Sequence, residues 1–529
     1  MRRLAVPALL MLTAWLVFVS WMNPHVLDPR RIGWLIDGQD RGQAWLGFYA
    51  YQWGGWPGMR QHLLLAPEGA PLLLTDSLPL VSWLAAPVLP LGWQFAGWWL
   101  LLCVVLQIAF AWALLDRAPG PVPRLLGTVL LGALPMFFAR APHLSLCAQW
   151  LILWGLWIYR DPERSARLSA WAPLLALAAL IHNYLLLIVA SLWAGELLRG
   201  LVRGSRAATL VRGVLGVGGV LPLLWVQGVF GGGYVSSRTY SNFPLALDAW
   251  INPANPDYTA LLPSSPNIEE NWFEGFNYLG AGGLVVLALG IGAWLWQARR
   301  ERALDPELAR LGWLVPGFLV LTVIAIGPHP WWWGAPVFAL RLPPWLRDAL
   351  DPVRASGRLF WPVTYTVMYV ALLGVMRLRG ATLALGAALA LQIVDTAPML
   401  AQLRATSLRA SWETRYYRAR DPRWDGLIAA ARRVDFWPAN EAADLPVLQD
   451  VTARALALGK PTGFTYLARL PAAARARLAR EADDFAAGRV PPGVLVVLLD
   501  GKAPPSLRAR VRRLDGIAYL PPSPARDAR

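Results

Sequence analysis

The sequence predicts a mainly α-helical protein, a polytopic bundle of transmembrane helices followed by a small soluble α/β domain. Of its 529 residues, 56% are apolar and only 16% are charged, which is too little charge to cover a water-facing surface. Stretches of about 20 apolar residues, long enough to cross a bilayer as helices, recur before residue 400. The chain contains 30 Trp residues, a residue type that is enriched at the interface between membrane and water. The lipid bilayer is therefore the first expected partner.

The membrane domain is predicted to occupy residues 1–399 and to contain about ten spans. The apolar runs lie near 4–22, 94–115, 124–139, 143–159, 208–229, 278–296, 311–328, 359–377 and 380–397. The run 170–198 is interrupted at His182, so we expect a broken or re-entrant pair of helices there. No small-residue cleavage site follows the first run, which predicts an uncleaved span. The segment 78–91 is short and bounded by prolines, and we expect it at the interface or re-entering the membrane. A full span there would invert the downstream topology.

Arginines in short loops predict the orientation of the spans. They lie at 160–167, 199–206, 299–302 and 377–379. With the N-terminus in the cytoplasm, all four loops fall on the cytoplasmic side, as the positive-inside rule requires. Three longer segments then fall outside: 23–93, 230–277 and 329–358. Because much of the net charge of +16 is spread over loops rather than gathered on one soluble face, nucleic acid is not an expected partner.

Residues 400–529 are soluble in character and are predicted to lie outside the cytoplasm. Short apolar runs occur at Val434–Trp437, Phe464–Leu467 and Val494–Leu499, and helix-like stretches at Val447–Leu458 and Ala472–Phe485. Their alternation predicts a small α/β domain. The cysteines Cys103 and Cys147 lie inside predicted spans, so neither a disulfide framework nor a metal-ligand spacing is predicted.

The first outer loop carries the candidate catalytic acids Asp37 and Asp40. In a helix these residues would share a face, and the aromatic residues that follow have the spacing of an amphipathic helix at the interface. An acid at this depth could deprotonate an acceptor hydroxyl beside a lipid-linked substrate. Alternatively, Asp40 caps a helix and Asp37 is solvated. A divalent cation between them is a further option, although two carboxylates are too few to predict a metal site.

Other polar side chains near the outer span ends are candidate substrate-binding groups. Asp76 precedes an apolar run, where capping a helix is the alternative to contacting substrate. Polar groups at membrane depth, such as His143 and His182, often face a functional cavity. His182 and Asn183 are the stronger candidates because a helix break exposes backbone groups that must line protein or water. A histidine bonded to a neighbouring carbonyl is the alternative.

Two further sets of candidates precede outer span ends. Glu274, Asn277 and Tyr278 lie before or at the start of one span, and Arg354 and Arg358 lie before another. Two arginines four residues apart at a helix N-terminus suit a phosphate group, through guanidinium hydrogen bonds and through the helix dipole. The alternative is that their side chains extend to the interface.

Together these segments resemble a family of bacterial polytopic membrane proteins whose architecture is of the GT-C glycosyltransferase type. The resemblance rests on Asp40 to Gln52, Thr75-Asp76-Ser77-Leu78-Pro79, Gln94-Phe95 with Trp98 to Cys103, Ile181-His182-Asn183-Tyr184, Glu274 to Gly280, Arg354 to Pro362, and Pro461 to Arg469. The chain departs from the family pattern at Asn183, where the family has proline, and at Gln39, where it has glycine. The acid at Asp40 is kept.

The resemblance implies a transferase of the bacterial inner membrane that uses a polyprenyl-phosphate-linked sugar at the outer face. Its acceptor would be a saccharide, a lipid or a protein. Asp40 matches the acidic residue that such enzymes use in the first outer loop, with Asp37 as the second candidate, and Arg354 and Arg358 would hold the lipid phosphate. The remaining candidates would bind the sugar or carrier: Asp76, His182, Asn183, Glu274, Asn277 and Tyr278.

Two other functions stay open on the sequence. A transporter or flippase for a lipid-linked saccharide would share the helix break at His182, but it would usually carry charges deep in its spans and internal repeats. A non-catalytic scaffold would present its C-terminal domain to partners in the cell envelope, since that domain has no recognisable catalytic set.

Overall fold

The computed structural model describes residues 2–231, 239–265, 270–301, 305–412, 414–467 and 469–523. The chain is mainly helical with a small C-terminal sheet, as predicted. The helices before the first undescribed segment are α1 (Arg2–Trp21), α2 (Asp40–Gln52), α3 (Pro79–Ala85), α4 (Ala96–Leu114), α5 (Pro121–Gly132), α6 (Pro135–Phe138), α7 (Trp150–Arg160), α8 (Pro162–Ser165), α9 (Leu168–Ile181), α10 (Asn183–Arg203) and α11 (Arg206–Val226). A short ribbon in the first loop pairs β1 (Arg60–Gln61) with β2 (Ala70–Pro71).

The second part of the membrane domain continues this pattern. Its helices are α12 (Gly280–Glu301), α13 (Pro306–Leu311), α14 (Val315–Ile326), α15 (Pro344–Leu350), α16 (Trp361–Val375) and α17 (Ala381–Ala405). An antiparallel hairpin between α14 and α15 pairs β3 (Trp331–Trp332) with β4 (Ala335–Pro336).

Seven segments of the described chain are long and apolar enough to cross a membrane, which fits a multi-pass membrane protein. They are Ala96–Leu114, Asn183–Arg203, Arg206–Val226, Phe273–Arg300, Pro306–Ile326, Ser356–Val375 and Ala381–Ala405. Three shorter apolar helices are Ala5–Trp21, Pro121–Gly132 and Leu168–Ile181. The predicted helices at these positions are confirmed, but fewer of them have spanning length than the sequence predicted.

The two predicted spans 124–139 and 143–159 are wrong as continuous helices. The first ends at Gly132 because Pro135 disfavours helical backbone in the residue before it and starts the separate helix α6. The second begins with a 3-10 turn at Leu144–Cys147, and α7 is only 11 residues long. The expected break in 170–198 is confirmed, because α9 ends at Ile181 and α10 begins at Asn183. Helix α3, at 7 residues, is too short to span a bilayer.

Ion pairs gather the arginine-rich loops at one end of the bundle. Arg160 lies 2.8 Å from Asp116 and 3.4 Å from Glu307. Arg310 lies 2.8 Å from Glu196, and Arg377 pairs with Asp305. Since Arg377 follows α16, and Arg358 precedes it, the residues around Arg358 belong to the opposite end of that helix.

The C-terminal domain is a four-stranded sheet with helices. It contains α18 (Arg423–Ala430), β5 (Arg433–Trp437), α19 (Leu445–Ala457), α20 (Ala472–Ala486), β6 (Val494–Leu498), β7 (Arg512–Leu514) and β8 (Ile517–Leu520). The strand order is β5-β6-β8-β7, with β5 parallel to β6 and the other pairs antiparallel. The run Phe464–Leu467 forms no strand, which corrects the expectation from its apolar residues.

The first loop and the C-terminal domain pack together as one body. Helix α19 lies against α2, where the Gln449 side chain donates to the Gln39 carbonyl (2.8 Å) and accepts from the Gly38 amide (2.9 Å). Thr462 exchanges backbone hydrogen bonds with Leu63 and Ala66 at 2.7 and 2.8 Å. The C-terminal domain therefore lies on the same side of the bundle as the first loop.

Candidate active site

Seven ionisable side chains form one cluster where the first loop meets the membrane helices. They are Asp40, Asp76, Arg140, His143, His182, Glu274 and Arg358, and we call them the polar cluster. They come from α2, from loops beside α3, α6 and α9, and from the segments that precede α12 and α16. The chain thus brings most of the sequence-predicted candidates to one place.

Glu274 lies at the buried end of the polar cluster. One of its carboxylate oxygens lies 2.5 Å from Arg140 Nη1 and 2.8 Å from Arg358 Nε, and the other lies 2.9 Å from His143 Nε2. The Glu274 and Arg140 side chains are only 3% and 1% exposed. A carboxylate with three cationic or ionisable partners satisfies the charges that the apolar surroundings would otherwise leave uncompensated. Glu274 is therefore shared among Arg140, Arg358 and His143, and Arg358 already has a carboxylate partner.

Asp40 and His143 form the accessible part of the polar cluster. His143 Nε2 lies 3.1 Å from Asp40 Oδ2, and the two side chains remain 20% and 13% exposed. Burial lowers the pKa of His143, but the carboxylates of Glu274 and Asp40 more than offset this, so its pKa is raised overall. His143 thereby holds the Asp40 side chain in place at the surface of the cluster.

Asp76 faces two histidines rather than capping a helix, so the capping alternative is wrong. Its carboxylate accepts from Ser145 Oγ at 2.5 Å and lies 4.0 Å from His143 Nδ1 and 3.9 Å from His182 Nε2. Its backbone is left-handed (φ 53°), as is that of Leu78 (φ 50°). Leucine rarely adopts this conformation, so the turn stores local strain beside the cluster.

Close packing of α2 on this turn fixes the position of Asp76. Ser77 Oγ donates to the Ala44 carbonyl of α2 at 2.8 Å. A Cβ atom at Gly47 would lie 2.2 Å from Ser77 Oγ, so only glycine permits this approach. Asp40 and Asp76 consequently reach the same histidine, His143, from two sides.

Asp76 should make stability depend on pH. Burial raises its pKa from 3.8 to about 6, against the opposing effects of His143 and Ser145. Between these values the folded state keeps a proton that the unfolded state loses, so stability should fall as pH rises through this window. Thermal unfolding in detergent should show this fall for the wild type and for Asp257→Asn, an exposed control, but much less for Asp76→Asn. An identical pH profile for Asp76→Asn and the wild type would contradict the assignment.

The C-terminal domain supplies Tyr466 to the polar cluster. Its side chain lies close to Asp40 and within electrostatic range of Arg354. Burial and then the Asp40 charge raise the pKa of Tyr466, so the hydroxyl stays protonated beside the carboxyl group. Arg469, from the same segment, donates to the Asp351 carbonyl at 2.8 Å. The segment that begins at Thr462 thus closes one side of the cluster.

Arg354 and two phenylalanines form the mouth of the polar cluster together with Tyr466. The Arg354 guanidinium lies 5.2 Å from the centre of the Phe243 ring, and it forms no ion pair with the described residues. Phe243 packs edge-on against Phe273 at 5.3 Å, and Phe273 stacks on His143 at 6.3 Å while remaining 45% exposed. Within the described residues, the mouth therefore combines a cation that has no ion pair with exposed aromatic surface.

Two family models match the chain. One matches residues 11–397 and is described as a domain of unknown function, DUF6311. The chain belongs to the DUF6311 family. The second model, the DUF6311 C-terminal domain, matches residues 423–522. A comparison with curated proteins finds no match.

The first loop of this DUF6311 chain departs from three expectations. Helix α2 begins at Asp40, so Asp37 precedes it and pairs with Arg41 instead of sharing a helix face with Asp40. Nearly all of α2 is buried beneath the C-terminal domain, so it is not an amphipathic helix at the interface. Asp40 itself is the first residue of α2 and Gln39 is the N-cap, so Asp40 does not cap the helix.

Three other predicted residues of the DUF6311 chain lie around the polar cluster in different ways. Asn183 is next to His182, and its buried Oδ1 has no hydrogen-bond partner among the described residues. Asn277 and Tyr278 have partners in the bundle: Thr364 donates to the Asn277 amide at 3.1 Å, and the Tyr278 hydroxyl donates to Asp395 at 2.6 Å. These two side chains support the fold around Glu274 rather than facing the mouth.

Neither a metal centre nor a large cavity accounts for the site. In the described parts of the DUF6311 chain, no group of three or more His, Cys, Asp and Glu side chains could hold a metal ion. Because Asp37 pairs with Arg41, the two acids of the first loop do not face a common cation. A cavity of about 60 Å³ lies between β5 and α20 in the C-terminal domain. None of the residues that line it belongs to the polar cluster.

Proposed function

We propose that this DUF6311 protein is a membrane glycosyltransferase of GT-C type. It would transfer a sugar from a polyprenyl-phosphate carrier to an acceptor on the outer face of the bacterial inner membrane. The observation that carries the proposal is Asp40, a partly exposed acid that lies 3.1 Å from His143 and close to Tyr466, at a mouth that also contains Arg354.

Asp40 would act as the general base. In the proposed step the acceptor hydroxyl oxygen forms a bond to the anomeric carbon while the bond from that carbon to the phosphate oxygen breaks. The hydroxyl proton moves to Asp40, and the bonding electrons leave with the lipid phosphate. His143 pairs with Asp40 and Tyr466 lies close to it, which positions the carboxylate for proton transfer.

Arg354 would stabilise the charge that develops on the leaving phosphate. Arg358, the other arginine of the sequence motif, is already bound to Glu274, which holds its guanidinium group in place. A guanidinium group beside the leaving phosphate stabilises the negative charge that develops on it during the transfer. The phosphate role is therefore proposed for Arg354, and the structural role for Arg358.

The aromatic part of the mouth suits a lipid carrier better than a soluble nucleotide sugar. Phe243 and Phe273 place apolar surface next to Arg354, and both precede the membrane helix α12. A polyprenyl phosphate has a charged head joined directly to an apolar chain, which matches a cation joined to aromatic surface. Exposed Phe273 would contact the first units of the chain.

Transport of a lipid-linked saccharide is the second candidate, and one feature favours it. A buried polar chain crosses the bundle interior, where Gln107 donates to the Tyr365 hydroxyl and that hydroxyl donates to Gln149, both at 2.7 Å. Together with the helix break at His182 it provides polar groups at membrane depth. Polar side chains also join helices in membranes without any transport role, so we favour transfer.

The proposal is tested by donor cleavage. The purified protein, reconstituted in liposomes, is incubated with a panel of radiolabelled polyprenyl-phosphate sugars and candidate acceptors. Release of free polyprenyl phosphate, coupled to labelling of the acceptor, is the expected result. Movement of the intact donor across the bilayer without cleavage would overturn transfer in favour of transport. Neither cleavage nor movement, with donor binding shown by retention of label, would overturn both.

A further inference from the structure

The hairpin between α14 and α15 presents an apolar surface that the bundle does not cover. We define the aromatic hairpin as residues 328–345. Its exposed large side chains are Trp332, Trp333, Val337, Phe338, Leu340 and Trp345, and each is between 39% and 70% exposed. Soluble surfaces rarely show so large a contiguous apolar patch without a partner.

The backbone of the aromatic hairpin is firmly anchored, so the exposure does not come from a loose loop. Its two arms exchange hydrogen bonds from Val337 to Pro330 (2.9 Å) and from Leu340 to Pro328 (2.8 Å). Its β3 strand is fixed to the neighbouring loop, because the Leu247 amide donates to the Trp331 carbonyl at 2.8 Å. The Trp333 amide donates to Asp248 at 3.1 Å.

The position of the aromatic hairpin in the chain identifies its partner. It begins two residues after α14 ends at Ile326, and α16 begins shortly after α15, so both flanks are helices of membrane-spanning character. It belongs to the same end of the bundle as the polar cluster, since Phe243 and Leu245 of the neighbouring loop bond to Arg354 and Ala325. A Trp-rich segment attached at this end of the membrane helices lies at the membrane–water interface, which is the region that Trp side chains prefer.

We propose that the aromatic hairpin inserts into the lipid leaflet on the side of the polar cluster, between headgroups and acyl chains. Trp332, Trp333 and Phe338 would lie among the upper acyl chains. Exposed Arg341 and Arg347 flank the patch and would contact lipid phosphates. The anchored loop 243–248 then fixes how far the mouth of the polar cluster stands from the lipid headgroups.

The insertion is tested with a single fluorescent label. Cys103 and Cys147 are buried, so Phe338→Cys can be labelled selectively, with unsubstituted protein as the measure of background labelling. Lys502→Cys, an exposed site in the C-terminal domain, is the matched control. Both proteins are reconstituted in phosphatidylcholine–phosphatidylglycerol liposomes that contain lipids with a nitroxide at different depths.

The label at position 338 is expected to be quenched strongly by nitroxides near the upper acyl chain and weakly by an aqueous quencher. The label at position 502 should show the opposite pattern. Equal quenching of both labels by the aqueous quencher would overturn the proposal. Protection at position 338 from lipid and aqueous quenchers alike, together with cross-linked dimers, would overturn it in favour of a second copy of the chain.

Discussion

Asp40→Asn is expected to lower the release of lipid phosphate by about 10²–10⁴-fold, the usual contribution of a general base. Asparagine keeps the size of the side chain, but it cannot accept the proton of the acceptor hydroxyl. The fold should survive, because His143 keeps Glu274 as a carboxylate partner at 2.9 Å. Binding of the donor should change little, since Asp40 is proposed to act on the acceptor.

The measurement is single-turnover cleavage of a radiolabelled donor in liposomes, compared with donor retention. Asp257→Asn is the matched control, because Asp257 is an exposed acid of the 230–277 segment that forms no ion pair with the residues of the polar cluster. Tyr466→Phe removes a hydroxyl group close to Asp40 and should lose less activity than Asp40→Asn. Unchanged cleavage by a folded Asp40→Asn protein would remove Asp40 from the mechanism.

Glu274→Gln is expected to destabilise the membrane domain by about 3–5 kcal/mol, the usual result of removing one partner from a buried ion pair. The substitution leaves Arg140 and Arg358 with uncompensated charge in a site where Glu274 is only 3% exposed. His143 would also lose a carboxylate that raises its pKa. The expected outcome is low yield of folded protein and a lower unfolding temperature.

The measurement is thermal unfolding in detergent beside the level of protein in the membrane. Glu163→Gln is the matched control, because Glu163 forms an ion pair with Arg167 at 3.6 Å in which both side chains are largely exposed. Such surface pairs contribute little, so this variant should behave like the wild type. If Glu274→Gln were as stable as Glu163→Gln, the stability of the polar cluster would not depend on the Glu274 carboxylate.

Hydropathy located most of the helices because a bilayer demands long apolar segments, but it did not locate their interruptions. The break at His182 was predicted since two polar residues stand within an apolar run. The interruption between 143 and 150 was missed because Leu144 to Trp150 remain largely apolar in a 3-10 turn. The β7–β8 hairpin was also missed, although Asp515-Gly516, both with positive φ, is a strong turn signal.

Several residues of the candidate site were predicted from the sequence, but the contacts between them were not. Asp40, Asp76, His182 and Glu274 were candidates from sequence, whereas Arg140 was not, although an arginine beside His143 between apolar runs was a usable signal. The bond between Arg140 and Glu274 joins residues 134 positions apart, and no local pattern encodes such a contact. For the same reason Tyr466 entered only through the resemblance, and its contact with Asp40 could not be anticipated.

The pairing of the first loop with Thr462 has a consequence for biosynthesis. Leu63 and Ala66 find their backbone partners in a segment that the ribosome delivers only after the whole membrane domain. Until then their amide and carbonyl groups must stay hydrated or be shielded by another protein, because buried unpaired backbone groups are costly. The two ends of the chain therefore reach their final structure together, and a nascent chain that stalls before residue 462 exposes an unfinished edge to proteolysis.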